Sequence, residues 1–181
     1  MLCFSLSSGS FNAAKMSKTL AIDIGLTYLA WSLMTRDSDG DIEDIIFDIS
    51  KFPTQKGAES IVINRCSAIV SFITSMHQEH HLTHIIVEKQ VITNVAAMSM
   101  MYSIVTTAKC LSLDCEIQDP KEKFKRLKIP MDTQKKNHKK AIVAYVSGWL
   151  VDNTDLSEHL ASFTKKDDLC DAIAMNLVSA S

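Results

Sequence analysis

Residues 19–26, TLAIDIGL, decide how the rest of the chain is read. Leu20, Ile22 and Ile24 fall on one side of an alternating run, Ala21 and Asp23 fall on the other, and Gly25 ends it, which is the pattern of a strand. Aspartate is depleted from strand interiors, so Asp23 among apolar neighbours needs a reason. A strand-end turn with Gly25 is the plain one. Three further acids suggest another. Glu88 closes the apolar run HIIVEKQ (residues 84–90), at the carboxyl end of a strand, where open α/β sheets place their ligands. Asp168 and Asp171 stand three residues apart in the closing helical run KKDDLCDAIAMNLV (residues 165–178). On a helix they lie about 60° apart on one face, with Leu169, Cys170, Ile173, Ala174 and Leu177 spread over the opposite side. Asp167, three residues after Thr164, is expected to cap that helix.

Taken singly, each acid has an ordinary role: Glu88 beside Lys89, Asp168 and Asp171 serving the helix dipole or solvent. Gathered at one point, carboxylates repel one another and resist burial unless cations neutralise them. An oxygen-only donor set suits magnesium or manganese. Jointly the four supply a two-metal arrangement, with ions about 3.5–4 Å apart, one activating a water and one stabilising the leaving oxygen of an in-line phosphoryl displacement.

Outward from this run, residues 28–34 and 42–49 read as strands on either side of the turn-rich RDSDGD, giving a three-stranded antiparallel meander. Residues 60–80 show helical spacing at Ile61, Cys66, Ile69, Phe72, Ile73 and Met76. A strand at 84–88, a helix at 94–109, a strand at 113–117 and helices at 137–150 and 165–178 follow, and VDNTDLSEH reads as a polar link between the last two. The expected fold is α/β, a mixed sheet of the meander plus parallel strands, flanked by helices. Residues 1–17, rich in Ser, Gly and Ala, are expected to be a disordered leader, and 18–181 a single domain.

At 181 residues, 46% hydrophobic and mean hydropathy +0.07, the chain suits one full core. It lacks an apolar run long enough for a bilayer, and its start lacks the pattern of a secretory signal, so a soluble protein without membrane contact is expected. Five cysteines without a C-x-x-C pair suit reduced thiols in the cytoplasm. The net charge of −2 hides a concentration of basic side chains. Residues 121–140 hold Lys121, Lys123, Lys125, Arg126, Lys128, Lys135, Lys136, Lys139 and Lys140 against Glu122 and Asp132, a local +7 that leaves −9 for the remainder. Such a stretch is either a solvated face or the place where a polyanion binds.

The motifs AIDIG (residues 21–25), IIVEKQ (85–90) and DDLCDAIAM (167–175) resemble those of the RuvC-type Holliday junction resolvases, and of their poxvirus branch in particular. D-x-x-D-A-hydrophobic-A at the end is the most specific of them. The resemblance implies a ribonuclease-H-like fold, a homodimer in the cytoplasm (of the host cell, if the protein is viral) and magnesium-dependent, paired symmetrical nicking of four-way DNA junctions. It makes Asp23, Glu88, Asp168 and Asp171 the catalytic acids and ligands of two Mg²⁺ ions, for which Mn²⁺ substitutes. The family's catalytic lysine maps to Lys139, with Lys140 the neighbouring alternative. Lys121, Lys123, Lys125, Arg126, Lys128, Lys135, Lys136 and Lys140 are then expected to face DNA, although the stretch between Lys121 and Lys136 does not align with the family.

Three rival readings arise. AIDIGLT also resembles the phosphate loop of actin- and Hsp70-like ATPases, but a chain with five glycines and no second D-x-G after Gly40 lacks the second loop of that clamp. An RNA:DNA-hybrid ribonuclease shares fold and acids, whereas a non-catalytic junction-binding module needs the basic stretch and no carboxylates. His77, His80, His81 and His84 have metal-like spacing but straddle a helix end, where histidine also suits the dipole.

Overall fold

A computed structural model describes residues 16–52, 58–130 and 135–179. Most of the expected leader, residues 1–15, lies outside them. The elements run β1 (Ser17–Ile24), β2 (Tyr28–Arg36), β3 (Ile42–Lys51), α1 (Ala58–His80), β4 (His84–Glu88), α2 (Val95–Cys110), β5 (Asp114–Gln118), α3 (Glu122–Arg126), α4 (Lys135–Trp149), α5 (Thr154–Ser162) and α6 (Lys166–Val178). Five strands form one sheet in the order β3-β2-β1-β4-β5. β1–β2 and β2–β3 are antiparallel, as the meander pattern implies, and β1–β4 and β4–β5 are parallel.

Alternation along β1 sends its two faces to two separate cores. Leu20, Ile22 and Ile24 meet Ile69 and Ile73 of α1 and Met100 and Ile104 of α2 on one face. On the other, β2 and β3 contribute Ala30, Met34 and Phe47, which pack with Ile142 and Val146 of α4 and Leu169 and Ile173 of α6. On this second face too lies a small cluster of Ala21, Ile86, Ala172 and Met175, all fully buried, where α6 rests on the sheet. Asp23 follows Ala21 by two residues, and Glu88 follows Ile86 by two, so both carboxylates emerge on the α6 side at the strand ends.

Polar bonds fix α6 along its length. Ser32 Oγ donates to the Ala172 carbonyl (2.9 Å), and the Asn176 amide donates to Ser32 O and Oγ (2.9 and 2.8 Å). At its far end, Arg36 donates to Asn176 O (3.1 Å) and Arg126 to Val178 O (2.7 Å), answering carbonyls that the helix terminus leaves open.

Two helices depart from the sequence expectation. The link VDNTDLSEH forms α5, because the Asn153 side chain accepts from Leu156 N (3.1 Å) and caps it while Leu160 packs into the core. The basic stretch after Pro120 forms the single turn α3, which buries Lys123 and Phe124. α6 begins at Lys166 after an N-cap at Lys165 that makes no side-chain cap bond, so Thr164 does not cap it and Asp167 sits inside the first turn. Among the described residues, no helix is long and apolar enough to cross a membrane.

Candidate active site

β1 and α6 carry the centre of the site. One carboxylate oxygen each from Asp23, Asp168 and Asp171 lies within 4.8 Å of the others, although the first is 145 residues from the second. This is the sole metal-capable group of three or more His, Cys, Asp or Glu among the described residues; the four histidines form no such set. Glu88, the fourth expected acid, stands beside the trio but has its carboxylate engaged: Oε2 is 2.7 Å from Lys123 Nζ, which is also 2.6 Å from Asp171 Oδ1.

The electrostatics follow from that crowding. Burial first, then the charges of Glu88, Asp171 and Asp168, push the Asp23 carboxyl well above its ordinary range, with Lys123 opposing. Burial likewise raises Asp171, against the pull of Lys123 and with the push of Glu88 and Asp168. For Lys123, burial works against the ammonium, yet Asp171 and Glu88 outweigh it and hold its pKa above that of free lysine. Ionising these carboxyls together therefore costs free energy that a divalent cation would offset. The donor set fits such an ion, being oxygen only, partly buried and close enough to share it. Gln118 adds to the fit. It is the β5 register partner of Glu88, 2% exposed, and neither amide atom finds a hydrogen-bond partner, so a buried polar group beside Glu88 is left open to a ligand.

Asp168 is held from both sides. The Tyr28 hydroxyl donates to its Oδ2, and Lys139 Nζ lies 3.4 Å from its Oδ1 while pairing closely with Asp167. Asp167 thus serves chiefly as the partner of Lys139, whose pKa is raised first by that bond. Tyr28 was not legible as a site residue. Its approach depends on Gly25, where a Cβ would stand 2.9 Å from the Tyr28 carbonyl and 3.1 Å from its ring. Tyr28→Phe should weaken manganese binding by about 10-fold, the scale of losing a hydrogen bond to an ion ligand, and calorimetric titration measures it.

The basic stretch divides. Lys121, Lys125, Lys128 and Lys140 are exposed, and Lys139 is 57% exposed. Lys139 and Lys140 line an open groove with Val143, Thr164, Lys166 and Asp167, which adds Lys166 to the cations beside the site. One expectation needs correction. Lys123 does not face solvent: at 3% exposure it is drawn in by Glu88 and Asp171. Arg126 stays exposed while pairing with Glu122 (2.9 Å) and donating to the Val178 carbonyl (2.7 Å). The side chains of Lys135 and Lys136 lie outside the described residues.

The mixed five-stranded sheet flanked by helices is the ribonuclease-H-like fold, shared with solved Holliday junction resolvases. Fowlpox virus resolvase, solved with Holliday junction DNA, matches with TM-score 0.65 and 16% identity over 89% of this chain and 99% of that one. Thermus thermophilus RuvC matches with TM-score 0.61 and 16% identity over 88% and 91%. The yeast mitochondrial Holliday junction resolvase Ydc2 matches with TM-score 0.61 and 11% identity over 87% and 75%. The fowlpox match is consistent with the poxvirus resemblance read from the motifs. No protein-family model and no curated protein sequence matches the chain.

Proposed function

We propose that the protein is a structure-selective DNA endonuclease that resolves four-way junctions by paired symmetrical nicks. The observation that carries this is the trio Asp23, Asp168 and Asp171, converging beside Lys139 in a fold shared with resolvases solved on junction DNA. Asp23, Asp168 and Asp171, with Glu88 adjoining, would hold Mg²⁺ or Mn²⁺, which supplies an activated water and charge neutralisation at the phosphodiester. Lys139, exposed and beside Asp168, supplies a cation to the phosphate as negative charge builds in the transition state. Lys121, Lys125, Lys128, Lys140 and Lys166 contact backbone phosphates of the arms. Two matched cuts call for two active sites, so the chain acts as a homodimer, and its cysteine usage suits a reducing cytoplasm.

The test is incubation of the purified protein and Mg²⁺ with four-way junction, duplex, RNA:DNA hybrid and single-stranded substrates, with cut sites mapped. Paired symmetrical cuts in the junction alone are expected. Preferential cleavage of the hybrid would favour the ribonuclease reading, and binding without cleavage the non-catalytic one. Lys139→Met should lower the rate by about 10²-fold with little effect on affinity. Lys121→Gln combined with Lys125→Gln should instead weaken binding and flatten its salt dependence by about two counterions.

A further inference from the structure

Lys123 belongs to a basic stretch whose other described lysines are exposed, yet it is taken inside and bonded at once to Glu88 and Asp171. A charge-assisted ammonium at 2.7 and 2.6 Å from two carboxylates fills the space in which a bridging cation would sit. Asp171 is common to both halves of the cluster: it bonds Lys123 on one side and joins Asp23 and Asp168 on the other. The cage therefore has one three-carboxylate half open to an ion and one half that already holds a positive charge.

We propose that Lys123 is a tethered cation standing in for the second metal ion. The resting site takes one divalent ion on Asp23, Asp168 and Asp171, and a second enters between Glu88 and Asp171 only as the Lys123 ammonium withdraws. The inference rests on the metal-site reading above and specifies its ion count. Entry of the second ion must break two charged hydrogen bonds and strand a buried ammonium, so it binds more weakly than the first. Without the lysine, Glu88 and Asp171 are left unneutralised, and the two positions become comparable.

Manganese titration of the full chain without DNA, counting bound ions by calorimetry and electron paramagnetic resonance, tests this. Wild type should bind one ion per chain, with the second about 10-fold or more weaker, and Lys123→Met should bring the second to within about 3-fold of the first. Because that variant leaves two buried carboxylates without their cation and so puts the metal-free fold at risk, a second measurement uses wild type. In a titration with diamagnetic Mg²⁺, the ¹⁵N signal of the Lys123 ammonium should persist through the first equivalent and disappear as the second ion binds. Two equivalent ions in wild type, or a Lys123 signal indifferent to the second ion, would overturn the inference while leaving the metal site standing. No ion bound at any concentration would overturn the metal site itself, and this inference with it.

Discussion

Asp168→Asn is expected to reduce magnesium-dependent nicking of a four-way junction by about 10²–10³-fold, the scale on which preorganised electrostatic contacts act at a reacting centre. Junction affinity should barely change. Asparagine keeps the shape of the side chain and still accepts from Tyr28, but it replaces a charged two-oxygen donor by one neutral carbonyl oxygen. Asp23→Asn should be equally inactive for a related reason and, in addition, no less stable than wild type without metal. It removes a charge from a position where burial, Glu88, Asp171 and Asp168 all oppose ionisation. Gel-shift and cleavage assays on the same preparations separate binding from chemistry; wild-type cleavage by either variant would remove the acids from the active site.

Metal-free protein should lose stability as pH rises, and added Mg²⁺ should restore more of it the higher the pH. The folded chain raises the Asp23 and Asp171 carboxyls above their unfolded values, which lie near 3.9. Folded protein therefore binds protons that unfolded chain has released. The stability these groups contribute is fully present below the unfolded value and is lost as pH climbs through the raised folded values. Metal needs the ionised carboxylates, so its stabilisation grows over the same range. At about 100 times Kd, one ion adds about 2.7 kcal/mol. Thermal melts with EDTA or Mg²⁺, between about pH 5 and 8, measure this, and Asp23→Asn run in parallel separates the site from the histidines. A metal-induced gain in Tm that shrinks with rising pH would contradict the assignment.

The sheet was legible because alternation is a local signal. TLAIDIGL reveals both the strand and the odd aspartate, and the two parallel strands are marked by helices between them. The meeting of Asp23 with Asp168 and Asp171 was legible through motif resemblance, since nothing in spacing alone joins residues so far apart. α5 was missed because its surface is polar, although Asn153 followed by Leu156 and Leu160 carried a capping signal. Lys123 was misread because a run of lysines does not disclose which one turns inward. Helical spacing of Lys123 with Leu127, next to Phe124, was the clue, and a five-residue helix is too short for periodicity to establish it. Tyr28 lay hidden because its role depends on a turn that folds it back past Gly25.

The alanine pair where the last helix meets the sheet has a mechanical consequence. Ala21 and Ala172 act as a shim between rod and sheet, and its thickness calibrates the gap across which Asp23 faces Asp168 and Asp171. Even one extra methyl group at that seam would lift the rod and part Asp23 from Asp168 and Asp171. Enlargement of either alanine should thus weaken Mn²⁺ binding, read by calorimetric titration, before it lowers Tm.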